Sequence, residues 1–380
     1  MRTRGLIAAI AAVTIAGLNY GFIAPLIAVL MERREIDKSL IGLNASFQAI
    51  AVVITSPLTG LLLRRLGATG LLTGGLVSTA CVYVLFAVVD DIAAWFVFRF
   101  ILGASGAIVW VASEAWINAL AETHNRGRII GIYSVAAAAG AAMGPLILTV
   151  VGTSGWVPFM VPASIAILGI LVIRFVGGAT PALAGEPSRQ PWRFLWIAPL
   201  PLLLCSAFSA TSESLRNFLA VYGLDRGIAE HHAFALLSAM AIGGILFQYP
   251  LGWLADHMNR RWLLVLCVAI STLGFLALPY IIGAGWIGLA VYFLFGGVFF
   301  MLYSLGLVLL GERFRGPDLV AASAGFSMMW GVGTIVGPSL TGVAMDVMGR
   351  SGLVWITAGL LVAFLPMALL SRSERQRDPE

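Results

Sequence analysis

The chain of 380 residues is 60% hydrophobic and 11% charged, and its formal net charge is +5 at pH 7. A soluble domain carries about 25% charged residues, so this composition excludes an ordinary water-soluble protein and indicates a chain that has a lipid bilayer as its solvent. The basic balance predicts no nucleic-acid partner, because the charges lie in loops between apolar segments, where a membrane protein places them.

Apolar runs of membrane-spanning length follow one another along the whole chain. A spanning helix needs about 20 residues, and the first run is too long for a signal peptide, so we interpret all of them as spans. The sequence therefore predicts an all-α membrane protein with twelve transmembrane helices. The predicted spans cover residues 5–30, 40–63, 70–89, 94–120, 128–151, 156–176, 194–221, 232–254, 262–282, 286–310, 321–345 and 352–371.

Lysine and arginine indicate how these spans are oriented. With a cytoplasmic N-terminus, sixteen of the 23 basic residues fall on the inner side and two fall within spans. The positive-inside rule therefore places both termini in the cytoplasm. The five basic residues on the outer side are Arg33, Arg34, Lys38, Arg226 and Arg350.

Two landmarks occur twice, at an offset of about 192 or 193 residues. One is a basic loop, with copies at 60–67 and 252–261. The other is a pair of glycines four residues apart with a following proline, which gives a helix a flat strip for close packing. The repetition predicts two parallel halves, a bundle at 1–176 and a bundle at 193–380 with a short cytoplasmic tail, joined by a Gly- and Pro-rich cytoplasmic linker at 177–192. The copies of the glycine landmark are Gly140, Gly144, Pro145 and Gly333, Gly337, Pro338.

These landmarks resemble the motifs of the major facilitator superfamily over nearly the whole chain. The second copy matches the family's loop motif G-x-x-x-D-R-x-G-R-R at Gly252, Asp256, Arg260 and Arg261, with Asn259 in place of the second glycine. The first copy keeps Gly60, Arg65 and Gly67, and Arg64 stands where the family's acid belongs. The fourth-span motif matches Arg99 and Gly103. The residues that match the loop motif, or stand at its positions, are Gly60, Arg64, Arg65, Gly67, Gly252, Asp256, Arg260 and Arg261.

The fifth-span antiporter motif of that family matches Gly131, Gly140, Gly144 and Pro145, with Leu148 in place of its last glycine. This likeness points to drug-proton-antiporter-like branches, and the segments 113–116 and 125–127 resemble the YcaD-like branch. The resemblance implies two pseudo-symmetric six-helix bundles, alternating access, a small-molecule substrate, a monomer and the bacterial inner (cytoplasmic) membrane. The basic loops would gate the cytoplasmic side, with Asp256 pairing a nearby arginine. The alternative is that the loops serve only as topology signals.

Charges inside spans are costly at bilayer depth, so they indicate a water-filled cavity or a partner. Arg99 and Glu114 lie about 22 Å apart along one helix and need separate partners. Glu114 is the predicted proton carrier, because burial favours the neutral form of a carboxyl. The alternative is a structural bond to Arg65 or Arg126. Arg99 is a second coupling candidate, unless its side chain extends to the outer interface.

A third group of charges lies in span seven. Glu213, Arg216 and Asn217 stand at i, i+3 and i+4, so they share one helix face. We expect this face to line the central cavity near its outer end; a local ion pair that closes the outer gate is the alternative. Other polar and aromatic residues that are candidates for the cavity wall are Asn19, Tyr20, Gln48, Trp110, Gln248, Tyr303 and Trp330.

The sequence shows no phosphate-binding loop, hydrolase motif or metal-ligand spacing, so we expect neither an enzyme nor a cofactor. Transport would then be driven by an ion gradient; protons are the expected ion, and sodium stays open. The predicted function is proton-coupled export, by antiport, of a small amphiphilic organic molecule. A proton symporter for solute uptake and a non-transporting membrane sensor or scaffold are the alternatives.

Overall fold

The computed structural model describes residues 2–121, 126–176 and 193–370, and the predicted linker 177–192 and the tail 371–380 lie outside them. Helices make up nearly all of the described chain. They are α1 (Arg2–Glu32), α2 (Lys38–Val88), α3 (Ile92–Leu120), α4 (Arg126–Val151), α5 (Val157–Val176), α6 (Arg193–Ile197), α7 (Pro199–Leu224), α8 (Glu230–His257), α9 (Arg260–Ile281), α10 (Gly285–Arg313), α11 (Gly316–Met348) and α12 (Ser351–Leu370).

The helix α2 contains two of the predicted spans. It runs for 51 residues, and Gly67 in its middle has φ 68° and ψ 165°, a conformation that favours glycine over every other residue. The chain therefore turns between the second and third spans at a single residue instead of a loop. Because α6 has only five residues, the remaining eleven helices provide the twelve predicted spans.

Nine helices of the described chain are long and apolar enough to cross a membrane. The helix α7 is not one of the nine, and its middle carries the polar face predicted for span seven. Every residue from Phe208 to Gly223 except Arg216 is nevertheless buried. Protein, and not lipid, therefore surrounds the polar face of α7, as the cost of polar groups in hydrocarbon requires.

Glycines bring helix backbones into contact within the first half. A Cβ on Gly140 would lie 2.1 Å from the carbonyl oxygen of Thr14, and a Cβ on Gly144 would lie 2.5 Å from the carbonyl carbon of Gly21. At these positions α4 therefore packs against α1 with no room for any side chain. The buried Pro145 follows directly.

The same contact recurs in the second half. A Cβ on Gly333 would lie 2.3 Å from the carbonyl oxygen of Ser206, and a Cβ on Gly337 would lie 2.3 Å from that of Ala210. Here α11 packs against α7, six spans after the first pair, and the buried Pro338 follows. The predicted fold, twelve transmembrane helices in two related six-helix bundles, is confirmed.

The first glycine of the fifth-span motif does not share this role. A Cβ on Gly131 would meet nothing within 4 Å, so Gly131 makes no close helix contact of the kind made by Gly140 and Gly144. The reason lies in the spacing. Nine residues correspond to two and a half helical turns, which places Gly131 on the face of α4 opposite to Gly140.

The two halves meet at one end of the molecule, which we call the outer end, following the predicted orientation; it carries the loops 33–37, 152–156, 225–229 and 349–350. Asp346 of α11 accepts hydrogen bonds from the backbone N–H groups of Lys38, at 2.8 Å, and Ser39, at 2.9 Å. These residues begin α2. An acid of the second half thus caps a helix of the first half and complements its dipole.

Further polar contacts close the outer end. Glu230 at the start of α8 accepts hydrogen bonds from Arg33, at 2.7 Å, and from the hydroxyl of Thr153, at 2.8 Å. Deeper in the membrane, the hydroxyl of Ser46 donates to the carbonyl oxygen of Ile335 at 2.6 Å and lies 2.8 Å from the hydroxyl of Ser339. The halves are therefore joined along α2 and α11 and between α8 and the first half.

The cytoplasmic ends of the halves differ from the outer ends. Within the described residues, every hydrogen bond and ion pair between the halves lies between the outer end and the membrane middle. A Cβ on Gly60 or on Gly252 would meet nothing within 4 Å. In the predicted orientation, these polar contacts therefore join the halves on the outer side of the membrane.

We expect Gly144→Val to prevent folding or to lower the melting temperature strongly, because its side chain would collide with the backbone of α1 at Gly21. Overpacking of a core costs about 1–3 kcal/mol, and more where only backbone could move. Gly131→Val is the matched control from the same helix and should behave like the parent protein. Thermal unfolding in detergent measures both variants; equal stabilities would contradict the proposed contact.

We expect Asp346→Ala to weaken the outer closure by about 0.5–2 kcal/mol, the usual value of a helix N-cap. The measurement is the labelling rate of Ser46→Cys by a membrane-impermeant maleimide, in a variant without the exposed Cys81. Labelling should be about two- to thirtyfold faster with Asp346→Ala. Asp318→Ala, at the other end of α11, should leave the rate unchanged; an unchanged rate with Asp346→Ala would refute the cap.

Candidate functional site

Ionisable side chains from both halves meet in the middle of the membrane. The hydroxyl of Tyr20 on α1 donates a hydrogen bond to Oε1 of Glu213 at 2.7 Å. Arg216, one turn further along α7, donates its Nε–H to the same oxygen at 3.2 Å, and its guanidinium lies 4.5 Å from the centre of the Tyr20 ring. One carboxylate oxygen therefore binds groups of both halves, and a cation–π contact joins the same two halves.

Arg99 on α3 completes this mid-membrane cluster. Its side chain is 2% exposed, and its NH2 group donates to Oδ1 of Asn217 at 3.4 Å. Asn217 in turn donates to the carbonyl oxygen of Glu213 at 2.9 Å. The Arg99 side chain therefore does not extend to the outer interface, which was the alternative left open by the sequence. The mid-membrane cluster consists of Tyr20, Arg99, Glu213, Arg216 and Asn217.

The mid-membrane cluster has an excess of positive charge. Glu213 interacts electrostatically with both Arg99 and Arg216, so one carboxylate faces two guanidinium groups. Within the described residues, Nε and NH1 of Arg99 have no hydrogen-bond partner, and neither does the nearby hydroxyl of Tyr83. Without the Glu213 carboxylate these two buried cations would lack a counter-charge, so the arrangement depends on one carboxyl group.

Aromatic rings form a wall in the second half, contributed by α7, α10 and α11. The rings of Tyr303 and Trp330 lie 5.3 Å apart, and Phe208 lies 5.5 Å from Phe300, 5.7 Å from Trp330 and 5.8 Å from Tyr303. Ring separations of 4.5–7 Å are those of favourable aromatic pairs. The sequence analysis singled out Tyr303 and Trp330 but missed Phe208 and Phe300, since a phenylalanine in an apolar helix looks like any other core residue.

Two predicted site residues of α3 are accessible. Trp110 is 39% exposed, and Glu114, one turn further on, is exposed as well. Glu114 interacts electrostatically with Tyr303 of α10, in the other half of the protein. Its charge therefore acts on the aromatic wall across the two halves.

Three other predicted cavity residues, Asn19, Gln48 and Gln248, are not part of the mid-membrane cluster. Asn19, next to Tyr20, is half-buried and its Oδ1 has no partner among the described residues. The backbone of Gln48 contacts Gly103, where a Cβ would lie 2.2 Å from the Gln48 carbonyl oxygen, so this part of α2 packs on α3. Gln248 is exposed on α8. None of the three has a hydrogen bond to the mid-membrane cluster within the described chain.

The two basic loops at the cytoplasmic end differ from each other. Arg260, at the start of α9, lies 3.7 Å from a carboxylate oxygen of Asp256 on α8 and also pairs with Glu312 on α10. It thereby connects three helices of the second half. In the first copy, Arg64 and Arg65 are both exposed. The backbone N–H of Arg261 donates to Oδ1 of Asn259, so the residue that departs from the family motif serves as the N-cap of α9.

Two acids of the outer closure, Glu230 and Asp346, were also missed by the sequence analysis. Each lies near a helix end and looks like an ordinary loop or first-turn charge in the sequence. Their partners stand 197 and about 307 residues away, so only the packing of the two halves reveals their role.

Comparisons with known proteins agree with this architecture. The chain matches the family model of the Major Facilitator Superfamily over residues 9–231 and 202–380. It is 26% identical over 374 residues to "Uncharacterized MFS-type transporter YfkF" of Bacillus subtilis (strain 168), covering 94% of this chain and 93% of that protein. It is also 26% identical over 343 residues to "Uncharacterized MFS-type transporter Ent638_1421" of Enterobacter sp. (strain 638), with 88% and 87% covered.

Solved structures share the fold at low sequence identity. A mutant of the nucleoside transporter NupG superposes with a TM-score of 0.80 at 14% identity, covering 96% of this chain and 99% of that chain. A bacterial homologue of the human lysosomal transporter Spinster, in an inward-facing and unoccupied conformation, superposes with a TM-score of 0.73 at 15% identity, with 97% and 95% covered. With its family match over both halves, the chain belongs to the Major Facilitator Superfamily and is a multi-pass membrane transporter.

Proposed function

We propose that this transporter exports a small amphiphilic organic molecule in exchange for protons. The observation that carries the proposal is the mid-membrane cluster, in which a carboxylate of α7 holds a tyrosine of α1 while two arginines lie beside it. Charges at bilayer depth cost several kcal/mol unless they serve a pathway or are compensated. A scaffold protein would have no need for such a cluster at the interface of its halves.

The mid-membrane cluster would act as the outer gate. The carboxylate of Glu213 attracts Arg99 and Arg216 and binds the hydroxyl of Tyr20, which holds α7 against α1. Loss of these contacts would leave the two arginines without their counter-charge, and their repulsion would favour separation of the halves at the outer end.

The second acid acts on the cytoplasmic side in this proposal. Glu114 is exposed and interacts electrostatically with Tyr303 of the aromatic wall in the other half. We assign it the exchange of protons with the cytoplasm. An amphiphilic substrate would place its apolar part on Tyr303 and Trp330 and its polar part near Glu114.

The remaining parts of the proposal concern energy and location. We propose an ion gradient as the energy source with no cofactor, a monomer, the bacterial inner membrane, and both termini in the cytoplasm. The bacterial relatives and the distribution of Lys and Arg support the location and the orientation.

Uptake of a small solute by proton symport is the second candidate. The structural similarity to the nucleoside transporter NupG favours it, and aromatic rings such as those of Tyr303 and Trp330 would also stack on the base of a nucleoside. Proteoliposomes with an imposed pH gradient separate the two candidates. Inward flux of a labelled nucleoside together with protons supports symport, whereas exchange of protons for an amphiphilic compound supports antiport.

We expect Glu114→Gln to abolish proton-coupled flux in proteoliposomes while the melting temperature stays unchanged, since glutamine keeps the shape of the side chain but cannot carry a proton. Glu35→Gln is the matched control, because Glu35 is an exposed acid in the outer loop. It should leave coupled flux intact. Coupled flux at the parent rate in Glu114→Gln would exclude Glu114 as the proton carrier.

We expect Glu213→Gln to open the outer gate more often. Maleimide labelling of Ser46→Cys from outside should be faster in Glu213→Gln than in the parent protein, since no carboxylate then balances Arg99 and Arg216. An unchanged labelling rate in Glu213→Gln would refute the gate mechanism.

A further inference from the structure

A pocket outside the central site lies at the outer end of the second half. It has a volume of about 720 Å³ and is enclosed by the end of α7, the end of α9 and the junction of α11 with α12. Its lining includes Arg226, Arg350, Tyr280, Trp355 and Ser351. A volume of this size lies within the range of small-molecule sites, about 300–1,000 Å³.

Two of the five outer basic residues converge on this outer pocket. Arg226 and Arg350 stand against the positive-inside distribution followed by most Lys and Arg residues of the chain. They are 124 positions apart in the numbering, and the fold places both in one lining. The positive-inside rule disfavours both charges on the outer side, so membrane topology does not explain why the two arginines meet in one pocket.

Backbone oxygens hold the two arginines without neutralising them. Arg226 donates its NH1 group to the carbonyl oxygen of Pro279 at 2.5 Å, and its guanidinium lies 5.1 Å from the centre of the Tyr222 ring. Arg350 donates to the carbonyl oxygen of Asp225 at 3.1 Å. Within the described residues, neither arginine has an ion pair with an acid, and Nε of Arg226 has no hydrogen-bond partner.

The acidic residue of the lining is engaged elsewhere. Asp225 interacts electrostatically with Glu32 and with the ammonium group of Lys38, both in the first half. The first turn of α12 begins at Ser351 in the same wall, and this helix N-terminus adds partial positive charge. The outer pocket is therefore an electropositive site with unused donors.

The other side chains that line the outer pocket are of the types found where a membrane meets water. Tyr280 is 85% exposed and Trp355 is 55% exposed, and such amphipathic rings concentrate at the level of lipid headgroups. Leu276, about one turn further into the membrane than Tyr280, and Val354, next to Trp355, add apolar surface to the lining. The pocket thus offers cations and donors on its aqueous side and apolar surface on its hydrocarbon side.

We propose that the outer pocket binds the phosphate-bearing headgroup of an anionic phospholipid of the outer leaflet. Arg226 and Arg350 would hold the phosphate oxygens, since guanidinium groups present donors that fit phosphate. Tyr280 and Trp355 would flank the glycerol region, and the acyl chains would follow the apolar wall. This inference does not depend on the substrate or on proton coupling.

The test is native mass spectrometry of the full-length protein titrated with phosphatidylglycerol, with phosphatidylcholine, and with inorganic phosphate. Phosphatidylglycerol should bind at least tenfold more tightly than phosphatidylcholine. The variant Arg226→Gln/Arg350→Gln should lose most of this preference, and Arg34→Gln should retain it. Arg34 is the matched control, because it is also an outer arginine but pairs with Asp90 in the first half.

Each other outcome overturns the proposal in its own way. Equal binding of the two lipids would show that charge is not recognised, and binding of inorganic phosphate at the same site would identify a free anion as the ligand. Should the double variant fail to fold, Arg350→Gln alone decides, because Arg350 is exposed and anchors no core contact. An unchanged preference in that variant would refute the site.

Discussion

The fold depends on the requirement that charges inside a bilayer be enclosed by protein. Glu213 and Arg216 lie on a helix with a polar middle, and they become tolerable in the membrane because α1 and α3 of the other half cover them. The bond between Tyr20 and Glu213 is therefore a structural contact between the halves, and in the proposed mechanism it is also the outer gate. When the halves separate at the outer end, this polar face must meet water, and never lipid.

Close glycine contacts occur both within the halves and between them. Within each half, glycines let backbones touch, as Gly144 does on α1 and Gly337 on α7. Between the halves, a Cβ on Gly42 of α2 would lie 2.2 Å from the carbonyl oxygen of Pro338 on α11. The outer closure adds hydrogen bonds such as those accepted by Asp346, and water can replace these partners when the halves separate.

Sequence patterns failed where they depended on helix faces or on distant partners. Gly131 belongs to the fifth-span motif, yet its spacing from Gly140 turns it to the opposite face of α4. Phe208 contacts three members of the aromatic wall, but no local pattern separates it from a core phenylalanine. Asp346 reads as a charge at a helix end, and its role appears only with the N-terminus of α2 beside it.

The sequence by itself determined the membrane class, the twelve spans and the two related halves. These features depend on local properties, because an apolar run of sufficient length forms a membrane-spanning helix and glycines four residues apart allow close helix packing. It also singled out Arg99, Glu114, Glu213 and Arg216, since charges in apolar runs are conspicuous. Only the tertiary structure decided which of these meet. Glu213 reaches Tyr20 across 193 residues of chain, and Glu114 interacts electrostatically with Tyr303 instead, because partners between two bundles depend on how the bundles dock.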